Sequence, residues 1–338
     1  MTLNVGIVGC GNIFERGYAP AFEQTDRLRV AATFDPVTER AAAAANRFRG
    51  SIQTASLDEL LALDGIDAVF VLTPTHTHAE LAIAALEAGH DVLCEKPMAR
   101  TPADARRMAA AAERAGRRLM IGHTRRFDDR WIVVHDQVRN GRIGDPVYVF
   151  RSEHAYNGAP DGGWQWVDAH SGGALWDVGV HVAELFHWYL GEVPRTAFTK
   201  VTHSRPESQR GGAPDAAIVT FDFGPGRHAV LSVSWIHPPA WGPGYSTTEV
   251  VGTGGRLEYH DLDGHPATIV SDRLEIPRYS PLLSALADTF RREIEHFADA
   301  LATGAPFAIT TEDAIVAVDM VDAAERSAAS GRPEAVTR

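Results

Sequence analysis

Over the first 122 residues, short apolar runs alternate with stretches whose apolar positions recur at helical spacing. The runs at 5–8, 28–34, 68–72, 92–94 and 119–121 are nearly free of polar interruption, as strands are when both faces of a sheet are covered. Helix starts are legible between them. Ser56 is followed three residues later by Glu59, and Thr77 by Glu80, which are capping-box pairs. Thr101 precedes Pro102 and Asp104, placing proline where a first turn tolerates it and an acid near the positive end of the helix dipole. Strand and helix signals together predict a parallel α/β sheet wound on both faces.

Beyond Gly122 the pattern changes. One helix is predicted over 129–140, followed by strand-like segments at 146–154, 216–223, 228–236 and 247–251. Turn residues separate them, notably Gly224-Pro225-Gly226 and Gly252-Thr253-Gly254-Gly255. Helices at about 283–303 and 312–330 close this α+β part, and the last is a candidate to pack back on the first domain. The polar stretch 204–214, rich in glycine and proline, reads as an exposed loop, with a substrate lid as the functional alternative.

A chain of 338 residues exceeds one ordinary core and suits two domains, set here at 1–122 and 123–338. With 45% hydrophobic and 22% charged residues it has the balance of a globular protein. A net charge of −12 argues against nucleic acid or an anionic membrane as partner, since both need a basic field. No apolar run approaches the roughly 18–20 residues that span a bilayer, and the start lacks the basic residues of a secretion signal, so a cytoplasmic protein is expected. Cys10 and Cys94 end buried strands and belong to no spaced ligand set, which makes them small buried hydrophobes.

Chemistry enters with Gly9-Cys10-Gly11-Asn12-Ile13-Phe14, directly after the first strand. The first glycine permits a tight turn, and the second lets backbone approach a pyrophosphate at a helix N-terminus. Phe14 stands where a small residue ordinarily allows close helix–strand packing. Asp35 ends the second strand 24 positions after Gly11 (35 − 11), where an acid binds adenosine ribose hydroxyls and repels a 2′-phosphate. No basic clamp follows in Pro36-Val37-Thr38, so NAD is favoured over NADP. In such sheets the site lies beyond the carboxyl ends of the strands, which directs attention to Thr73-Pro74-Thr75-His76-Thr77-His78 and to Glu95-Lys96-Pro97.

With these residues in view, the chain resembles the Gfo/Idh/MocA oxidoreductase family over nearly its whole length. The resemblance is carried by the glycine loop, Thr73-Pro74 with His78, Glu95-Lys96-Pro97, Arg126-Phe127, and Gly172-Gly173-Ala174-Leu175-Trp176-Asp177 running into Val178-Gly179-Val180-His181. It implies a Rossmann domain followed by an α+β domain with a large, mostly antiparallel open sheet, through which homodimers or homotetramers form. It further implies hydride transfer between nicotinamide and a secondary alcohol or ketone of a sugar, sugar nucleotide or cyclitol. By motif match, Lys96, Asp177 and His181 correspond to the family's catalytic trio. Gly9, Gly11, Asn12, Ile13, Asp35, Thr73, Pro74, His78, Glu95 and Lys96 correspond to its cofactor-site positions. Ser171, where a further glycine is common, and Glu184, where aspartate is common, join Phe14 as departures.

Removing a hydride from an alcohol carbon requires the hydroxyl proton to leave while negative charge builds on oxygen. A histidine titrates near neutrality and suits that proton. An ammonium aimed at the oxygen meets the developing charge. His181 is therefore the leading acid/base and Lys96 its electrostatic partner; the reverse assignment uses the same two residues. Asp177 and His181, four apart on an expected helix, project from one face.

Tyr156, Asp161, Trp164 and Trp166 lie on a glycine-rich stretch before that helix, and aromatic faces suit a sugar ring. Plain loop anchoring is the alternative. Arg126 is a further substrate-pocket candidate. His76 and His78, two apart with no third ligand evident, do not read as a metal site. Two other functions remain in view: NAD-dependent redox-assisted glycoside cleavage and a non-catalytic sensor on the same fold.

Overall fold

The computed structural model describes residues 2–238, 240, 244–260, 268–271 and 286–337, the side chains of 268–271 and 286–287 excepted. They fall into two compact units. The first is formed by Met1–Ala99, Ala103–Asp128 and Ser284–Ala314, and the second by Arg100–Pro102, Asp129–Leu283 and Ile315–Arg338. Among the described residues no helix is long and apolar enough to cross a membrane.

The first unit holds a sheet of β1 (Leu3–Val8), β2 (Leu28–Phe34), β3 (Ile52–Gln53), β4 (Ala68–Val71), β5 (Asp91–Glu95) and β6 (Leu119–Gly122), in the order β3-β2-β1-β4-β5-β6. Every pairing is parallel. This is the expected Rossmann arrangement, with its reversal of strand order between β1 and β4. The short, exposed β3 carries no apolar run and was not foreseen. Of the two capping boxes, Ser56 Oγ accepts from Glu59 N at 3.1 Å, while Glu59 Oε2 takes the Ala55 amide. Thr77 makes none, because its hydroxyl donates to Pro74 O at 2.7 Å and meets Thr73 Oγ1.

The helix after the glycine loop opens into a π turn over Phe14–Tyr18. Phe14 is fully buried there, edge-on to Phe48 with ring centroids 6.2 Å apart. Close approach is delegated to Gly17, where a Cβ would lie 2.7 Å from the Phe290 ring. Phe290 belongs to the helix Leu286–Thr303, expected over 283–303; its first three predicted residues lie outside those described. Read from sequence as the end of a second domain, this helix packs instead into the first unit. Phe290, Ile294 and Phe297 supply apolar surface to a core that also holds Tyr18, Phe22 and Phe70. Phe70 stands edge-on to Phe297 at 5.4 Å and to Phe22 at 5.3 Å, the geometry aromatic quadrupoles prefer.

The second unit is built on β7 (Pro146–His154), β8 (Thr196–Thr202), β9 (Ala216–Gly224), β10 (Arg227–Ser234), β11 (Tyr245–Gly252), β12 (Gly255–His260), β13 (Thr268–Ser271) and β14 (Glu334–Ala335). Their order is β13-β12-β11-β7-β10-β9-β8-β14, antiparallel except for β7 with β10. The stretch 204–214 differs from its expected form. Pro206–Gly211 is a helix, Ser208 is buried, and fully buried Asp215 accepts from the amides of Ser204 and Arg205. A carboxylate that gathers two amides pins the segment against the sheet rather than leaving it an exposed loop.

Phe297→Ala is expected to destabilise the protein by about 3–5 kcal/mol, as large aromatic deletions from a closed core do. Denaturant unfolding checks this, and a loss below about 1 kcal/mol would show that the helix does not close that core.

Candidate active site

Strand register decides which residues share the carboxyl edge of the parallel sheet. Val8 pairs with Phe34 and Val71, Val71 with Cys94, and Cys94 with Ile121. The next residue along each strand is Gly9, Asp35, Leu72, Glu95 or Gly122, so the glycine loop, the acid and the glutamate stand in one row. Thr73, Lys96 and His123 follow one step further out.

Gly9 has φ +96°, and a Cβ there would meet Leu72 O and Thr73 Cγ2 at 2.7 Å, so no other residue fits. A Cβ at Gly11 would meet nothing within 4 Å; that side of the loop is open, in front of the helix that begins at Asn12. Asn12 is exposed and Ile13 half-buried. Asp35, 7% exposed, accepts from Cys10 N through Oδ2 and from Val37 N through Oδ1, both at 2.8 Å. It ties the loop to the end of β2, and each oxygen keeps a second lone pair for a ribose hydroxyl. Burial first, then Asp35, pushes the Cys10 thiol up to about 12, which leaves it an inert packing group. An open backbone turn, a helix start and an acid on the neighbouring strand fit a dinucleotide.

His78 is buried, with Nδ1 2.8 Å from Pro97 O and Nε2 2.8 Å from Thr73 O. It staples the loop after β4 to the carbonyl of Pro97, the residue joined to Lys96 by a cis bond. Burial pulls this imidazole down and the two carbonyls pull it up; burial prevails, to about 4. His76 is exposed, so the two histidines part company. Glu95, 4% exposed, accepts from the Tyr18 hydroxyl at 2.8 Å and from Lys96 N at 3.0 Å. Within 92–99 only Lys96 is partly exposed.

His123 was not singled out from sequence, although the rule that sites lie beyond strand ends points to it. It is 1% exposed and pushed down to about 3, by burial and then by Arg126, Lys96 and Arg125. Arg126 is committed elsewhere: it donates to Ala308 O at 2.9 Å and pairs with Asp313 at 3.5 Å, with 7% of its side chain exposed. The substrate-pocket candidate thus has two partners within the first unit.

In the second unit, Asp177 ends the helix Gly173–Asp177 and His181 lies in Gly179–Leu190. The expected single helix is interrupted at Val178, which nevertheless keeps right-handed helical angles (φ −90°, ψ −42°), so the spacing of four still sets both on one face. From 173 to 186 only these two positions are partly exposed. Gly172 and Gly173 both have positive φ; a Cβ on Gly172 would lie 2.1 Å from the Trp176 ring. Arg100 covers that ring at 4.2 Å and donates to Glu325 at 3.0 Å, bracing the helix start.

The aromatic candidates separate. Trp166 is 1% exposed, edge-on to Trp235, with Nε1 donating to Ala159 O, and is therefore a loop anchor rather than a sugar platform. Trp164 is half-buried and Tyr156 exposed beneath Arg205, whose guanidinium lies 4.8 Å from its ring. Asp161 is exposed and paired with Arg210 at 2.7 Å.

The buried histidines set an acid limit. An imidazole whose folded value lies below its unfolded one binds fewer protons folded than unfolded, so its stability contribution is complete above about 6.5 and is lost as pH falls. For His78 the window runs from about 6.5 down to about 4, and for His123 on to about 3. Between neutral pH and pH 4 His78 is expected to remove on the order of 3 kcal/mol. Thermal melts across that window should show His78→Gln with a shallower acid slope than wild type; equal slopes would refute the assignment.

Comparison with known proteins agrees with this geometry. Residues 3–123 match the model of the oxidoreductase family with an NAD-binding Rossmann fold, and 131–258 match the Gfo/Idh/MocA C-terminal domain. Inositol 2-dehydrogenase 2 of Saccharopolyspora erythraea is 30% identical, with 98% of this chain and 94% of that protein covered. The structure of GenD2 from gentamicin A biosynthesis, in complex with NAD, is 27% identical with a TM-score of 0.87, covering 100% of this chain and 97% of that one. A putative myo-inositol dehydrogenase from Sinorhizobium meliloti is 26% identical with a TM-score of 0.83, covering 99% and 100%. The chain belongs to the Gfo/Idh/MocA family of NAD-binding oxidoreductases.

Proposed function

We propose that this oxidoreductase moves a hydride between NAD and a secondary alcohol or ketone of a polyol, a cyclitol or free sugar in the first instance, with Lys96, Asp177 and His181 as its chemical groups. One observation carries the reading. Lys96 is the single partly exposed residue in the buried run that follows β5, one step beyond the row holding Gly9, Asp35 and Glu95. The inositol dehydrogenases among its relatives support the substrate class.

When bound, NAD supplies the hydride acceptor. The chain's own residues do the rest. Asp35 and the Gly9–Gly11 turn hold the dinucleotide, and Asp35 disfavours a 2′-phosphate there. Lys96 Nζ stabilises negative charge on the substrate oxygen. His181 takes or returns the hydroxyl proton, and Asp177, one helical turn before it, orients the imidazole or the substrate. Thr73, Pro74 and His78 shape the loop beside Lys96. Tyr156 and Trp164 remain as the aromatic surface for a sugar ring. Redox-assisted glycoside cleavage would use the same groups and show no net cofactor turnover; a sensor would need no proton relay. Work on the soluble nicotinamide pool goes with a cytoplasmic site of action.

Spectrophotometric assay of cyclitols, free sugars and nucleotide sugars with each dinucleotide should give turnover with NAD. Lys96→Ala should lose about 10²–10³-fold in kcat. Unchanged turnover in that variant would sink the mechanism, and a preference for NADP would overturn the role of Asp35.

The open face of the eight-stranded sheet supports assembly into homodimers or homotetramers. Ile218 is 56% and Phe198 38% exposed on neighbouring strands, a costly display of apolar surface for a lone protomer. Sedimentation should show an oligomer that Ile218→Glu weakens; a wild-type monomer would remove this proposal.

A further inference from the structure

Behind Lys96 the first unit buries two carboxyl groups that the proposed chemistry does not use. The Tyr18 hydroxyl, fully buried, donates to Glu95 Oε1 at 2.8 Å and lies 3.2 Å from Glu293 Oε2. Glu293 is itself fully buried on the helix Leu286–Thr303. A hydroxyl carries one hydrogen, and the shorter contact takes it. The longer contact then sets Glu293 Oε2 against a lone pair of Tyr18, which is attractive only if that oxygen bears a proton of its own. The other oxygen of Glu293 has no hydrogen-bond partner among the described residues. An ionised carboxylate with a bare, fully buried oxygen would be prohibitively desolvated, whereas a neutral acid tolerates it. Burial first, then Glu95, raises Glu293 well above the usual carboxyl range.

We propose that Glu293 is a neutral carboxylic acid that donates to Tyr18, which in turn donates to Glu95, so that a buried chain of two hydrogen bonds fixes the carboxylate holding the Lys96 backbone. Glu95 is the ionised member, since both its oxygens accept, from Tyr18 and from Lys96 N. Glu293 and Tyr18 are positioning residues and touch no reacting atom. Space for the chain depends on Gly122, where a Cβ would lie 3.0 Å from the Tyr18 hydroxyl and 3.4 Å from Glu95 Oε1.

This inference rests on Lys96 being a site residue, and its test separates the two. Infrared spectra of the cofactor-free protein near neutral pH should contain the carbonyl band of a buried protonated carboxyl, absent from Glu293→Gln; a wild type without that band overturns the proposal. In steady-state assay, Tyr18→Phe and Glu293→Leu should each lower kcat roughly tenfold with little change in KM for the dinucleotide, the scale of one hydrogen bond to a charged group. Glu293→Gln, whose amide can still donate to Tyr18, should restore most of that loss. Wild-type kcat in Glu293→Leu, or a Gln variant as impaired as the Leu one, also overturns it, and both remain readable if Tyr18→Phe fails to fold. Full activity in Lys96→Ala with the infrared band intact would instead unseat Lys96 and leave the buried acid standing.

Discussion

The hydrogen-bond ladder of the parallel sheet is the constraint on which the rest of the first unit depends. Because β1, β2, β4, β5 and β6 end in register, five chain segments leave the sheet at one level. A turn glycine, an acid and a glutamate thus meet without any side chain having to seek another. A slip of one residue in β5 would exchange Glu95 and Lys96 between the two faces of the sheet, since successive side chains alternate.

This explains what was legible in the sequence. Strand positions follow from apolar runs, and the Gly11–Asp35 interval follows from one strand, one helix and one strand of ordinary length. Contacts that turn on backbone carbonyls were not legible. His78 reads from sequence as a helix-start histidine, and its two carbonyl partners come from loops that only the fold brings together. The π turn at Phe14–Tyr18 is likewise invisible, for the same residues satisfy an α-helical pattern. The placement of Leu286–Thr303 was the largest omission. An amphipathic helix announces that it has an apolar face, not which core receives it, and the contacts of Phe290 with Tyr18 and of Phe297 with Phe70 span more than two hundred residues of sequence.

In the second unit the helices 173–177 and 179–190 are apolar nearly all round, the composition of a buried helix. Against that background a partly exposed aspartate and histidine four residues apart are conspicuous, because neither packing nor solubility calls for them. The positive-φ glycines before them serve packing instead, since Trp176 and Arg100 leave no room for a side chain at 172. Here the motif combines two demands, close packing at its start and the proposed chemistry at its end, which sequence presents as one string.

The same economy governs charge. Around Lys96 the fold buries His78, His123, Glu95 and Glu293, yet burial discharges both imidazoles and the outer glutamate. Neutral groups can fill space and hold geometry without competing for the field of Lys96. A second ionised carboxylate at 293 would draw that field inward, away from the substrate oxygen, and charged histidines would raise the barrier to bringing a cationic nicotinamide near. With both imidazoles and Glu293 neutral, Glu95 is the one charge left among these four buried groups, in keeping with the electrostatic role proposed for Lys96.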